Sequence, residues 1–149
     1  MEKTYKVGII GCGNISTTYF RYAPLFKGIE ITHCSDLNAE LAATRAAEYG
    51  VKAVSTAELL RSPEVDIIVN LTVPAAHFKV SMEAVRAGKH VYSEKPLTLS
   101  LADGLALAKS AATKKVKVGC APDTIFGGSH QLARKAIDPA LNMLAHQLA

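Results

Sequence analysis

Six short stretches rich in β-branched residues recur along the chain, and a segment of helix length follows most of them. They are YKVGIIG (5–11), IEITHCSD (29–36), VKAVS (51–55), VDIIVNLT (65–72), KHVYS (89–93) and VKVGC (116–120). Strands joined through helices cannot pair as hairpins. They pair in parallel through βαβ crossovers, which predicts an α/β fold with a doubly wound parallel sheet. VDIIVNLT is almost continuously apolar, as a central strand covered on both faces must be. Right-handed crossovers bring the C-terminal ends of the strands to one edge, and in open sheets that edge holds the ligand.

The punctuation between the strands fits helices on both faces of six strands. Residues 14–27 read as a helix that ends or bends at Pro24. NAELAATRAAEYG opens with Asn38 as N-cap and stops at Gly50. TAELLRS is a single helical stretch capped at Thr56, and PAAHFKVSMEAVRAG has Pro74 in its first turn and Gly88 past its end. LSLADGLALAKSAATK reads as a helix despite Gly104. After Asp138 only PALNMLAHQLA remains, in which Leu141, Leu144 and Leu148 suggest one short amphipathic helix. The expected division is a nucleotide-binding unit over 1–122 and a helical extension over 123–149.

Composition narrows the functional classes. The 149 residues suit one domain with a real core, and the net charge is a mild +4. Lys109, Lys114, Lys115 and Lys117 supply much of that charge without interleaved aromatics, so they read as a solvated helix terminus and not a nucleic-acid surface. No apolar run approaches the ~20 residues of a membrane span. MEKTYK does not begin a signal peptide. Cys12, Cys34 and Cys120 are odd in number and scattered, which argues against disulfides and for a reducing cytoplasm. All three fall at strand ends, and their spacing offers no tetrahedral metal set, so no metal is expected.

GIIGCGNIS carries the first chemistry. Gly11 and Gly13 stand between a strand and a helix, the context of a dinucleotide fingerprint, although a tight turn alone would also use them. Gly11 makes the turn, Gly13 lets the backbone approach a pyrophosphate, and Asn14 and Ile15 open the helix whose free N–H groups face that anion. Ser16 takes the place of a third glycine. Asp36 ends the second strand at the distance that meets a ribose 2′-hydroxyl, unless it merely caps the next helix. Leu37 and Asn38 follow it, with no arginine for a 2′-phosphate, which favours NAD over NADP. Apolar residues and glycine from Val7 to Ile10 speak against a methyltransferase.

SEKPLTLS (93–100) raises the other question, since Glu94 and Lys95 are opposite charges clamped by Pro96 at the end of a buried strand. Alone they would be a solvated turn. With GCGNIS and NLTVPAAH, this stretch resembles the glucose–fructose oxidoreductase and inositol dehydrogenase family (Gfo/Idh/MocA) from about residue 5 to about residue 137. The resemblance implies a Rossmann-type domain that binds NAD or NADP. It also implies interconversion of a hydroxyl and a carbonyl on a sugar, polyol or cyclitol, often in a homo-oligomer. It places Lys95 against substrate and cofactor with Glu94 holding it, and suggests a cis bond before Pro96. Thr72 and Pro74 match the turn near the nicotinamide ribose; His77 is either a cofactor contact or a helix-face histidine bonded to a neighbour. Asp123, unless it simply starts a turn, and His130 would face substrate, while His146 reads as a solvent-facing tail residue in preference to a stand-in for the catalytic histidine of a second domain. Family members usually carry a second α/β domain with the substrate pocket, which cannot be built from the residues after Asp138. The expectation is therefore the cofactor half of an oxidoreductase, with a non-catalytic nucleotide-binding or sensor module as the alternative.

Overall fold

Strand β1 (Tyr5–Ile10) lies at the centre of the sheet, and its side chains show why. Val7 and Ile9 point to one face and Ile10 to the other, and all three are buried. This computed structural model describes residues 3–121 and 127–147, with side chains described to Pro139. In chain order the elements are α1 (Asn14–Tyr22), a 3-10 turn (Ala23–Leu25), β2 (Ile29–Ser35), α2 (Ala39–Tyr49), β3 (Lys52–Ala53) and α3 (Thr56–Arg61). They continue with β4 (Ile67–Asn70), α4 (Pro74–Arg86), β5 (His90–Ser93), α5 (Leu101–Lys114), β6 (Val118–Cys120) and α6 (Gly128–Gln147). The six strands are parallel in the order β3-β2-β1-β4-β5-β6. The order reverses between β1 and β4, which puts the crevice of a doubly wound sheet at their C-terminal ends.

Two apolar layers hold the helices. On one face Ile10, Ile68 and Val91 pack with Leu59 of α3, Met82, Ala84 and Val85 of α4, and Leu107 and Ala111 of α5. On the other, Val7, Ile9 and Val69 pack with Phe20 of α1 and Ala42 and Ala46 of α2. Phe20 also stacks on Tyr49, with ring centroids 4.7 Å apart. Helix α3 has six residues, too few to stand alone in water. Leu59 is fully buried, and burial of one leucine contributes about 1.5–3 kcal/mol, so packing holds α3 in place.

The expected caps occur at Asn38, which accepts from the amides of Glu40 and Leu41, and at Gly50 in the left-handed conformation. Helix α1 stops at Tyr22 and passes into the 3-10 turn that contains Pro24. Three expectations need correction. The cap of α3 is Ser55: its hydroxyl accepts from the Glu58 amide while the Glu58 carboxylate accepts from the Ser55 amide. Thr56 is used elsewhere, its hydroxyl 2.9 Å from that of Ser35. The strand expected over 51–55 shrinks to two residues at the sheet edge, where only β2 pairs with it. Helix α6 spans 20 residues with Pro139 inside it and is not a short helix beyond Asp138. Proline forfeits one helical hydrogen bond but does not require a stop, and Arg134 reaches both oxygens of Asp138 across one turn. The 122/123 boundary and Asp123 lie outside the described residues.

Asp66 ties the other end of β4 to β1. Its carboxylate accepts from the Lys6 amide at 2.9 Å and from the Lys3 ammonium at 3.0 Å. The Lys6 amide foremost, then the Lys3 ammonium, hold its carboxyl below the usual carboxylate value. A depressed carboxyl contributes stability above its unfolded value and loses it as pH falls through its folded one. Asp66→Asn should therefore lower the denaturation midpoint at neutral pH. The gap from wild type should close as pH drops below the carboxylate range, read by urea titrations across pH.

Candidate functional site

The glycines of the β1–α1 loop serve different ends. Gly11 has φ +102°, and a Cβ there would lie 2.7 Å from the carbonyl carbon and oxygen of Leu71 and 2.9 Å from the Thr72 amide nitrogen. Its missing side chain lets the loop press against the end of β4, where Leu71 N–H donates to Ile10 O at 2.8 Å. Gly13 has φ −67°, which any residue adopts, and a Cβ there would meet nothing within 4 Å. Its role is clearance. Gly13 is also the N-cap of α1, with no capping side chain and no acidic residue in the first turn. The amides of exposed Asn14 and Ile15 thus open a helix whose positive end is free to meet an anion. Ser16, fully buried, turns its hydroxyl back to Gly13 O at 2.7 Å, which satisfies it in the tight space of a third glycine.

Asp36 sits beside this loop. Its Oδ2 accepts from the Cys12 amide at 2.7 Å and its Oδ1 from the Asn38 amide at 2.8 Å. It braces the glycine loop and is not the cap of α2, since Asn38 fills that role. A carboxylate offers about four acceptor positions, so two remain for the hydroxyls of a ribose. An uncapped helix end, an open Gly13 and an acceptor on the adjoining strand together fit a dinucleotide's pyrophosphate and diol.

The turns after β4 and β5 meet on the other side of β1. Asn70, fully buried, donates from Nδ2 to His77 O and Ser81 Oγ, both at 3.0 Å. Its Oδ1 accepts from the Thr72 hydroxyl at 2.7 Å and the Thr72 amide at 3.2 Å. Pro74 is exposed at the start of α4. His77 is 1% exposed, with Nδ1 2.6 Å from Pro96 O and Nε2 2.8 Å from Thr72 O. On β5, the Glu94 amide donates to Asn70 O at 2.9 Å. The Glu94 carboxylate accepts from the Tyr19 hydroxyl at 2.8 Å and the Lys95 amide at 3.1 Å. The Lys95–Pro96 bond is cis, and the Lys95 side chain is exposed at the end of the strand.

Every proposed cofactor residue therefore lies on one edge. The structure brings Asp36 to the glycine loop and Glu94 to Lys95; it gives His77 two backbone carbonyls in the interior. His130 is exposed in the first turn of α6, and the His146 side chain lies outside the described residues. Sequence reasoning missed three partners. Asn70 could have been found as the polar residue that interrupts VDIIVNLT. Tyr19 and Arg45, whose Nε donates to Cys12 O at 3.3 Å, give no local signal. Cys12 and Cys34 are buried free thiols. The adjacent Cys34 thiol, and then burial, push the Cys12 thiol far above its ordinary value, so the loop presents no thiolate to an anion. Among the described residues no three His, Cys, Asp or Glu side chains form a metal-ligand group.

Sheet order, open loop and acidic strand end define a dinucleotide-binding Rossmann domain. Residues 5–121 match the family model for the GFO_IDH_MocA oxidoreductases, described as an oxidoreductase family with an NAD-binding Rossmann fold. The chain belongs to that family. It is 31% identical over 132 residues to 1,5-anhydro-D-fructose reductase of Ensifer adhaerens, covering 87% of this chain and 40% of that protein. It is 34% identical over 121 residues to inositol 2-dehydrogenase 3 of Saccharopolyspora erythraea, covering 78% and 36%. Among solved structures, the WlbA dehydrogenase of Bordetella pertussis, in complex with NADH and UDP-GlcNAcA, superposes with a TM-score of 0.85. That match has 27% identity and covers 92% of this chain and 43% of the other. The chain spans about two fifths of the length of the curated relatives it matches.

Gly11→Ala should lower stability by more than about 1 kcal/mol, because a left-handed residue acquires a Cβ against backbone. Gly13→Asn, which keeps a favoured N-cap residue, should stay within about 0.5 kcal/mol of wild type yet lose NADH affinity, because its side chain fills the open space over the loop. Thermal unfolding and fluorescence titration of the two variants separate the roles.

Proposed function

We propose that this chain supplies the cofactor half of an NAD-dependent oxidoreductase acting on a sugar, polyol or cyclitol. The observation that carries the proposal is one edge that holds both an acceptor braced to the glycine loop, Asp36, and an exposed ammonium on a fixed backbone, Lys95. The amides of Asn14 and Ile15 would take the pyrophosphate, Asp36 the adenosine ribose diol, and Thr72 and Pro74 the turn beside the second ribose. These residues would hold NAD where it supplies a hydride acceptor or, reduced, a hydride donor for a substrate carbon. In reduction, Lys95 would hydrogen-bond the carbonyl oxygen, stabilise the negative charge that grows on it as hydride adds to the carbon, and supply the proton that completes the hydroxyl; in oxidation the same proton would return to the lysine amine as hydride leaves. Glu94, held by the Tyr19 hydroxyl and the Lys95 amide, would fix the Lys95 backbone. The names of the relatives, an anhydrofructose reductase and inositol dehydrogenases, support a polyhydroxylated substrate.

The same reading extends to setting and assembly. No helix among the described residues is long and apolar enough to cross a membrane, and the three free cysteines suit a reducing cytoplasm. Tyr22, Leu25 and Phe26, close together at and after the end of α1, are 50%, 75% and 63% exposed, which supports self-association, most simply as a two-fold dimer. Sedimentation of the purified chain tests that.

Fluorescence titration tests the cofactor. NADH should bind about tenfold tighter than NADPH, a difference of roughly 1.4 kcal/mol, and Asp36→Ala should shrink that preference; equal affinities would remove the carboxylate from the site. Turnover of polyols with NAD, followed by nicotinamide absorbance in the whole protein, should fall by on the order of a hundredfold in Lys95→Ala, as when one charge-stabilising donor is lost. Unchanged turnover would exclude Lys95 from the chemistry.

A further inference from the structure

Of the two readings of His77, a cofactor contact or a histidine bonded to a neighbour, the geometry has the second. The ring is 1% exposed, and each of its nitrogens faces a backbone carbonyl: Nδ1 lies 2.6 Å from Pro96 O and Nε2 2.8 Å from Thr72 O. Its own carbonyl accepts from Asn70 Nδ2 at 3.0 Å. One residue of α4 thus holds the turn after β4 through Thr72 and the turn after β5 through Pro96. Sheet hydrogen bonds do not do this, because they end where the Glu94 amide meets Asn70 O at 2.9 Å. Beyond that bond the two turns are joined through the imidazole.

The consequence falls on Lys95. Its amide donates to Glu94 Oε2 at 3.1 Å on one side, and the carbonyl of the next residue, Pro96, is held by His77 on the other. An exposed lysine has a long, flexible stem, so its ammonium can be aimed only by fixing the backbone that carries it. We propose that His77 is a positioning residue: it clamps the Thr72 and Pro96 carbonyls and so sets where Lys95 stands relative to the β4 turn. The effect on ligand rests on the proposed cofactor role of that edge, whereas the clamp itself does not. No other protein side chain has the same shape and donors. A carbonyl is held only by an N–H, so the two contacts together require both ring nitrogens to carry a proton, and a ring with one N–H would hold one carbonyl alone. Glutamine fills similar space but has one amide nitrogen, which can serve only one of the two carbonyls well.

Three measurements decide it. In the wild-type chain, long-range proton–nitrogen spectra with labelled histidine should show both His77 ring nitrogens protonated and slow to exchange; one bare nitrogen, or a ring in fast exchange with water, overturns the clamp. In His77→Gln, backbone amide shifts should move at Thr72, Lys95 and Leu97 and stay unchanged at β2; unmoved Lys95 and Thr72 amides overturn it as well. NADH affinity should fall by on the order of tenfold in His77→Gln, the loss of about one well-made hydrogen bond to the fixed geometry. Lys95→Ala should then weaken binding by a clearly smaller factor in the His77→Gln chain than in wild type. Equal factors would mean that the two sites act independently and that His77 is only a core residue. A wild-type chain that binds no NADH would sink the cofactor reading, while the ring and amide spectra would still judge the clamp.

Discussion

A buried amide must find a partner for every polar atom, and Asn70 meets that demand by drawing three elements together. An unsatisfied group of this kind costs about 1–3 kcal/mol, so its partners are not optional. Its Nδ2 takes the His77 carbonyl and the Ser81 hydroxyl of α4, and its Oδ1 takes the Thr72 turn. Its backbone carbonyl receives the Glu94 amide of β5. The turn after β4, the start of α4 and the end of β5 therefore share one polar knot beneath the edge where Lys95 emerges.

The glycine loop joins that knot through the backbone. Because Gly11 has no Cβ, β1 can bring its turn to within contact of Leu71 and Thr72, the residues that follow Asn70. On the far side, Gly11 N–H donates to Ser35 O at 2.9 Å and Cys12 N–H to Asp36. The loop is thus held from β2 and β4 at once, and the space over Gly13 stays open because nothing approaches it. Rigidity under the loop and clearance above it come from the same pair of glycines.

Much of this was legible, and the reason is locality. Strand runs, Asn38, Gly50, Pro74 and Gly88 act through the backbone of their own neighbourhood, so the alternation of elements and most boundaries could be read in order. The cap of α3 failed because Ser55 and Thr56 are both capable caps, and only tertiary contact shows that Thr56 is spent on Ser35. The helix across Pro139 was hidden because proline marks a probable boundary and not a certain one. The partner of Glu94 was beyond reach: Tyr19 is 75 residues away in sequence, and nothing local in TTYFRY marks it. Placement of Asp36 and Lys95 on one edge followed from strand order, whereas the burial of His77 did not, because its motif gives spacing but not facing.

Remaining hydrogen-bonding capacity separates scaffold from site along this edge. His77 has both ring nitrogens engaged and almost no exposure, so it has nothing left to offer a ligand. Asn70 is spent in the same way. Asp36 and Glu94 each accept two bonds from the protein, about half of what a carboxylate can take. The first-turn amides of α1 have no side-chain cap. Groups with capacity left line the crevice at the reversal of strand order, and groups without it lie one layer below. A buried layer that is fully satisfied can hold the turns still, while the layer above stays incomplete until a ligand supplies the missing donors and acceptors.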